Sequence, residues 1–153
     1  MKITPKLARR LLNIYPPYFG AGIKVKYISE DWKEIHVTMS LRWFNRNAVG
    51  THFGGNLYSM IDPHLMFILL QQLGNEYWVW DKAADIEFVK ASKLKVTSVI
   101  KVSEKDLEII KRSTANGDKY FPEFDVEIID ENNDLVAKIK KTLYVRKKRT
   151  KQL

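Results

Sequence analysis

The sequence predicts an α+β domain, a curved and mostly antiparallel sheet of about six strands wrapped around one central apolar helix. Three observations lead there. Six segments of strand length alternate apolar and polar residues or run apolar throughout. One helical segment, Leu57 to Leu73, is apolar on nearly every side and must be covered on most of them. Helices and strands do not alternate regularly along the chain, which is the α+β arrangement.

The elements follow in order. Ile3, Leu7, Leu11 and Ile14 recur at spacings of three and four, so Met1–Ile14 reads as an amphipathic helix that docks through that stripe. Tyr15-Pro16-Pro17-Tyr18-Phe19-Gly20 reads as a turn or extended linker, because two prolines cannot continue a helix. Ile23–Ile28 and Lys33–Arg42 alternate with period two, and Glu30-Asp31-Trp32 joins them as a hairpin. A polar loop, Asn45 to Gly55, leads into the apolar helix, where Pro63 predicts a bend near Asp62. Tyr77–Lys90 is a long extended segment with Trp78, Trp80, Ile86 and Phe88 on one parity. Leu94–Val102 is a further strand. Ser103, with Asp106 three residues on, caps a short helix, Glu104–Arg112. Asn116-Gly117-Asp118 and Glu131–Asp134 are the turns that bound strands Tyr120–Asp130 and Leu135–Val145.

At 153 residues the chain fits one domain, residues 1–145, followed by a basic tail, 146–153. The absence of cysteine excludes disulfides, thiolate zinc sites and a cysteine nucleophile, and fits an intracellular, cytoplasmic protein. The longest apolar run, Leu65–Leu70, is too short to span a bilayer. The net charge of +8 gathers at Arg146, Lys147, Lys148, Arg149 and Lys151, a solvated tail or an attraction for polyanions. No motif that reads nucleic acid accompanies it, and nucleic acid is not an expected partner.

The stretch from Asn45 to Asp62 is the most informative. It sets paired Asn, His52, Gly54-Gly55 and then Asp62 against an apolar helix. An acid among Leu, Met and Ile is costly to bury unless its charge is used or neutralised, so Asp62 is a candidate reacting group. The competing role is a buried acid that bonds loop backbone. His52, His64 and Asp62 match no metal-ligand spacing, and no metal is expected.

This stretch resembles the hotdog-fold thioesterase superfamily, specifically its phenylacetate-pathway type, in which Asn, a His-Gly-Gly step and an Asp recur. Here Asn47, Gly54-Gly55 and Asp62 align, whereas Phe53 stands at the position of the motif His and His52 lies one residue earlier. A closer resemblance is to a hotdog subgroup known only as a domain of unknown function. It rests on Asn47, Gly50-Thr51-His52-Phe53-Gly54-Gly55 and Asp62-Pro63, on Tyr77, Trp80-Asp81-Lys82-Ala83-Ala84 and on Tyr15-Pro16-Pro17-Tyr18.

The resemblance implies an acyl-CoA thioesterase-like hydrolase. The Gly55 N–H would polarise the thioester carbonyl, and Asp62, two turns along the same helix face, would act as base or nucleophile. Asn47 would orient water and His52 would bind carbonyl or water; plain loop hydrogen bonding is the other reading of each. Phe53, Gly54, Leu57, Tyr58, Trp80 and Phe88 would line the acyl pocket, and Lys90, Lys93, Lys95 and Arg112 are candidate cations for the phosphates of coenzyme A. No cofactor is expected beyond coenzyme A as part of the substrate. The expected assembly is a homodimer or dimer of dimers, with Asp62 from one subunit facing the partner's Asn47–His52 loop and Tyr77–Lys90 forming the edge between subunits. The alternative is a non-catalytic hotdog protein that binds acyl-CoA or lipid.

Overall fold

A computed structural model describes residues 3–148. The order is α1 (Pro5–Ile14), α2 (Pro16–Ala21), β1 (Ile23–Ile28), β2 (Glu34–Met39), α3 (Gly54–Ser59), α4 (His64–Leu73), β3 (Tyr77–Phe88), β4 (Val96–Lys101), α5 (Glu104–Ser113), β5 (Lys119–Tyr120), β6 (Glu123–Asp130) and β7 (Leu135–Lys147). The strands form one antiparallel sheet in the order β1-β2-β4-β6-β7-β3, with the two-residue β5 also on β7. The extra strand β5 is too short to show a period, and it raises the count from the expected six to seven.

The inner face of the sheet packs on the central helical segment. Ile35, Val37, Met39, Val96, Ile100, Val126, Ile128, Ile139 and Leu143 are buried from the sheet, and Met60, Ile61, Leu65, Ile68 and Leu69 from the helices. The central helix is not continuous. It breaks into α3 and α4 around a turn at residues 60–63, where Pro63 has no N–H to give and ends the first helix. Helical phase is therefore not carried from Gly55 to Asp62, and the expected shared face does not follow.

Three further expectations are corrected. The double proline does not stop helix formation: Pro16 and Pro17 open α2, where their missing N–H groups cost nothing. The first helix docks through Ala8 and Leu12, with Ile3 packed on the core just before it as expected, and leaves Leu7, Leu11 and Ile14 exposed. Asn13 sets that rotation. Its Oδ1 accepts from Val25 N–H at 2.8 Å and its Nδ2 donates to Val25 C=O at 3.0 Å. The side chain thus occupies the free edge of β1, as a neighbouring strand would. Finally, the last strand runs to Lys147, with Arg146 Nε donating to Gly117 C=O at 2.8 Å. Arg149 and Lys151 lie outside the described residues.

Asn45 ties the loop to the body. It is 1% exposed, donates through Nδ2 to Ala21 C=O (2.9 Å) and Ser40 C=O (3.0 Å), and accepts at Oδ1 from Arg42 N–H (2.7 Å). Gly22 beneath it has φ +74°, and a Cβ there would meet Asn45 Nδ2 at 2.9 Å. Asn45→Ala leaves buried backbone groups unpaired and is expected to cost roughly 3 kcal/mol. Thermal unfolding should show this as a drop of about 10 °C; an unchanged melting temperature would refute the anchoring role.

Candidate active site

The candidate site is built around a residue that sequence reasoning passed over. Lys141 lies in the middle of β7, between the buried Ile139 and Leu143 on the helix-facing parity, and its side chain is fully buried. Its ammonium donates to Asp62 Oδ1 at 2.6 Å, to Asp62 C=O at 2.7 Å and to Tyr58 Oη at 3.1 Å. Asp81 Oδ1, from β3, stands 3.3 Å away, in ion-pair range but outside hydrogen-bond geometry. The signal in the sequence was a lysine on the apolar parity of an otherwise alternating strand.

Asp62 is thus neutralised rather than isolated, and it is half open: its side chain is 46% exposed, against 0% for Lys141. Partial burial works to raise its pKa, but the Lys141 ammonium and then the Tyr58 hydroxyl beside it outweigh that and hold the carboxyl below the usual range. Lys141 shows the mirror case. Burial disfavours its charge, yet the Asp62 and Tyr58 bonds and the two carboxylates hold its pKa above normal. Asp81 is raised, first by burial, with Lys141 opposing and the Asp62 charge adding to the rise. Near neutrality the cluster holds one ammonium and an ionised Asp62.

The other site residues divide into two groups. Gly54 and Gly55 form the first turn of α3, which has no side-chain cap, and no acceptor is found for either N–H among the described residues. Phe53 and Phe88 close around them: a Cβ on Gly54 would meet Phe88 Cζ at 2.9 Å, and one on Gly55 would meet Phe53 Cε1 at 2.5 Å. Leu57 is core, and Tyr58 touches the lysine. Phe53, Gly54, Gly55, Tyr58, Asp62 and Phe88 therefore line or adjoin the start of α3 and the turn after it.

The remainder is engaged elsewhere. Asn47 binds its own loop: Nδ2 donates to Thr51 Oγ1 (2.9 Å) and His52 C=O (3.3 Å), and Oδ1 accepts from Val49 and Thr51 N–H (3.1 and 3.0 Å). His52 is 4% exposed and donates through Nε2 to Leu94 C=O at 2.8 Å. Lys90 pairs with Asp134, and Lys95 with Glu131 at 3.1 Å. Trp80 is on the wrong side. A bulge between Asp81 and Ala83 shifts the β3 register, so Trp80 lies opposite Tyr144 and stacks on it at 4.4 Å. Phe88 lies opposite Ala137 on the inner face. The expectation that Trp80 and Phe88 share a face is corrected for that reason. His64, fully buried, pairs through Nε2 with Tyr18 Oη at 2.8 Å beneath the cluster.

Open hollows of about 420 and 450 Å³ lie on the outer face of the sheet, lined by Asp125, Val126 and Glu127 among others, and neither reaches Asp62. The chemistry of the cluster decides the site, not the size of those hollows. Among the described residues strand β3 pairs with β7 alone and its other edge has no partner, and Trp78, Trp80 and Phe88 along it are each about half exposed. Among the described residues no helix is long and apolar enough to cross a membrane.

A sheet wrapped on a buried helix with this topology is the hotdog fold, and comparison with known structures agrees. A Pseudomonas aeruginosa protein of unknown function, described as a probable thioesterase, superposes with TM-score 0.81 at 15% identity, covering 96% of this chain and 98% of that one. A thioesterase from Haemophilus influenzae gives 0.69 at 15% identity, over 100% and 97%. The PaaI protein of the E. coli phenylacetic acid degradation operon gives 0.64 at 18% identity, over 90% and 88%. No curated protein sequence matches the chain. Residues 4–145 match the model of a domain of unknown function, DUF4442, and the chain belongs to that family.

Proposed function

We propose that the protein hydrolyses acyl-CoA thioesters. The observation that carries this reading is an ionised, half-exposed Asp62 held by a buried lysine, close in the chain to a helix start whose Gly54 and Gly55 N–H groups have no acceptor among the described residues. In this reading the thioester carbonyl oxygen takes the Gly55 N–H, worth about 3 kcal/mol as charge develops on it. Asp62 removes a proton from water as it attacks, or itself attacks to give a mixed anhydride that water then opens. Either route releases the fatty acid and free coenzyme A. Phe53 and Phe88 flank the glycines as apolar walls for the acyl chain.

The free edge of β3 pairs with a second copy in this account, giving a homodimer or a dimer of dimers in which the partner's Asn47–His52 loop faces Asp62. A cytoplasmic place of action, where acyl-CoA is made and used, goes with it. The position of Phe53 favours a second reading, a binder without turnover, since Phe offers no donor where related enzymes hold a His. Free-thiol release over a panel of acyl-CoA chain lengths, run beside calorimetric binding, separates the two. The hydrolase reading expects turnover with a chain-length optimum. Saturable binding with no thiol released would replace it with the binding reading.

A further inference from the structure

Lys141 reaches no solvent, yet it is the residue on which the candidate site is assembled. Lysine is almost never fully buried without partners, because its charge is costly to desolvate. Here β7 supplies it, the turn after α3 supplies two acceptors, α3 supplies Tyr58 and β3 supplies Asp81. The bond to the Asp62 carbonyl holds the backbone of the turn, and the bond to Oδ1 holds the side chain. Oδ2 has no hydrogen-bond donor among the described residues, on a side chain that is half exposed.

We propose that Lys141 is the positioning residue of this site, bridging Asp62 and Asp81 so that one oxygen of Asp62 is fixed and the other is presented outward. Naming Asp62 as the reacting carboxylate rests on the hydrolase reading; the bridge itself does not. Five groups face Asp62 from the elements around it: Tyr58 on α3, His64 on α4, Tyr18 on α2, Lys141 on β7 and Asp81 on β3. Burial keeps His64 uncharged down to about pH 3 and keeps the Tyr18 phenol protonated. Asp62, held low, ionises before Asp81, which is held high, so the charge that acts on Asp62 as it titrates is Lys141, and the charges that act on Asp81 are Lys141 and the ionised Asp62. Removing Lys141 must move both carboxylates up, and removing the Asp62 charge must move Asp81 down.

The test is a carboxyl-carbon NMR titration of Asp62 and Asp81 in wild type, K141M, K141R and D62N, with D62N and D81N giving the assignments. K141M is expected to raise the Asp62 midpoint by about one to three units. K141R should keep it near the wild-type value, and D62N should lower the Asp81 midpoint. The acid limb of the rate profile should move with the Asp62 midpoint. An Asp62 midpoint unmoved in folded K141M, or an Asp81 midpoint that D62N leaves in place or raises, overturns the proposal. Should K141M not fold, D62N decides alone: an Asp81 midpoint that stays or rises overturns it, and a fall supports it. Because the titration needs no turnover, these shifts in a protein that cleaves no thioester keep the bridge and remove the hydrolase. Turnover with unmoved midpoints does the reverse.

Discussion

Acidification from pH 6.5 to about pH 3 is expected to strip stability from the protein through His64 alone, at about 1.4 kcal/mol per unit. Complete burial pushes this imidazole down to about 3, and the favourable charge of Asp62 only partly opposes that. In the unfolded chain the same group titrates near 6.5. Between those values the unfolded state binds a proton that the folded state refuses, so stability is fully present above pH 6.5 and falls as pH falls. His52, lowered first by burial, and Asp62, held low by Lys141, act with the same sign. The His64 share is isolated by difference. Denaturant unfolding of wild type and His64→Gln across this range should give a stability difference that shrinks or inverts with acid. A pH-independent difference would mean that His64 is protonated within the fold.

Much of the architecture was legible because it is written in short-range periodicity. The hairpin β1–β2, the Ser103–Asp106 capping box and the apolar density of Leu57–Leu73 each depend on neighbours in sequence, and the structure contains all three. In the capping box, Ser103 Oγ accepts from Asp106 N–H at 3.1 Å while Asp106 Oδ2 accepts from Ser103 N–H at 2.9 Å. What was not legible depends on contacts distant in sequence. The rotation of α1 is set by Asn13 against β1, which no helical period reveals. A one-residue bulge in β3 separates Trp80 from Phe88, and nothing local at Asp81–Lys82–Ala83 announces it. Lys141 was passed over because a lysine in a strand defaults to the solvent face. Only the spatial convergence of Tyr58, Asp62 and Asp81 gives it reason to point inward. Asp62 was visible as a costly acid, but its counter-ion stands 79 residues away.

The second large effect concerns Asp62 itself. Asn is nearly isosteric, keeps an acceptor for Lys141 and leaves Asp81 as its counter-ion, so Asp62→Asn should fold. An amide can neither take a proton from water nor open a thioester, and the loss of a general base is expected to lower kcat by about 100- to 10,000-fold with binding kept. Free-thiol release by wild type and Asp62→Asn, measured on the acyl-CoA length that wild type turns over fastest, tests the central claim most directly. The account predicts rapid release by wild type and at least a 100-fold loss in the variant, at unchanged affinity for a non-hydrolysable analogue. Equal rates in the two proteins, or no release by wild type from any chain length, would contradict it.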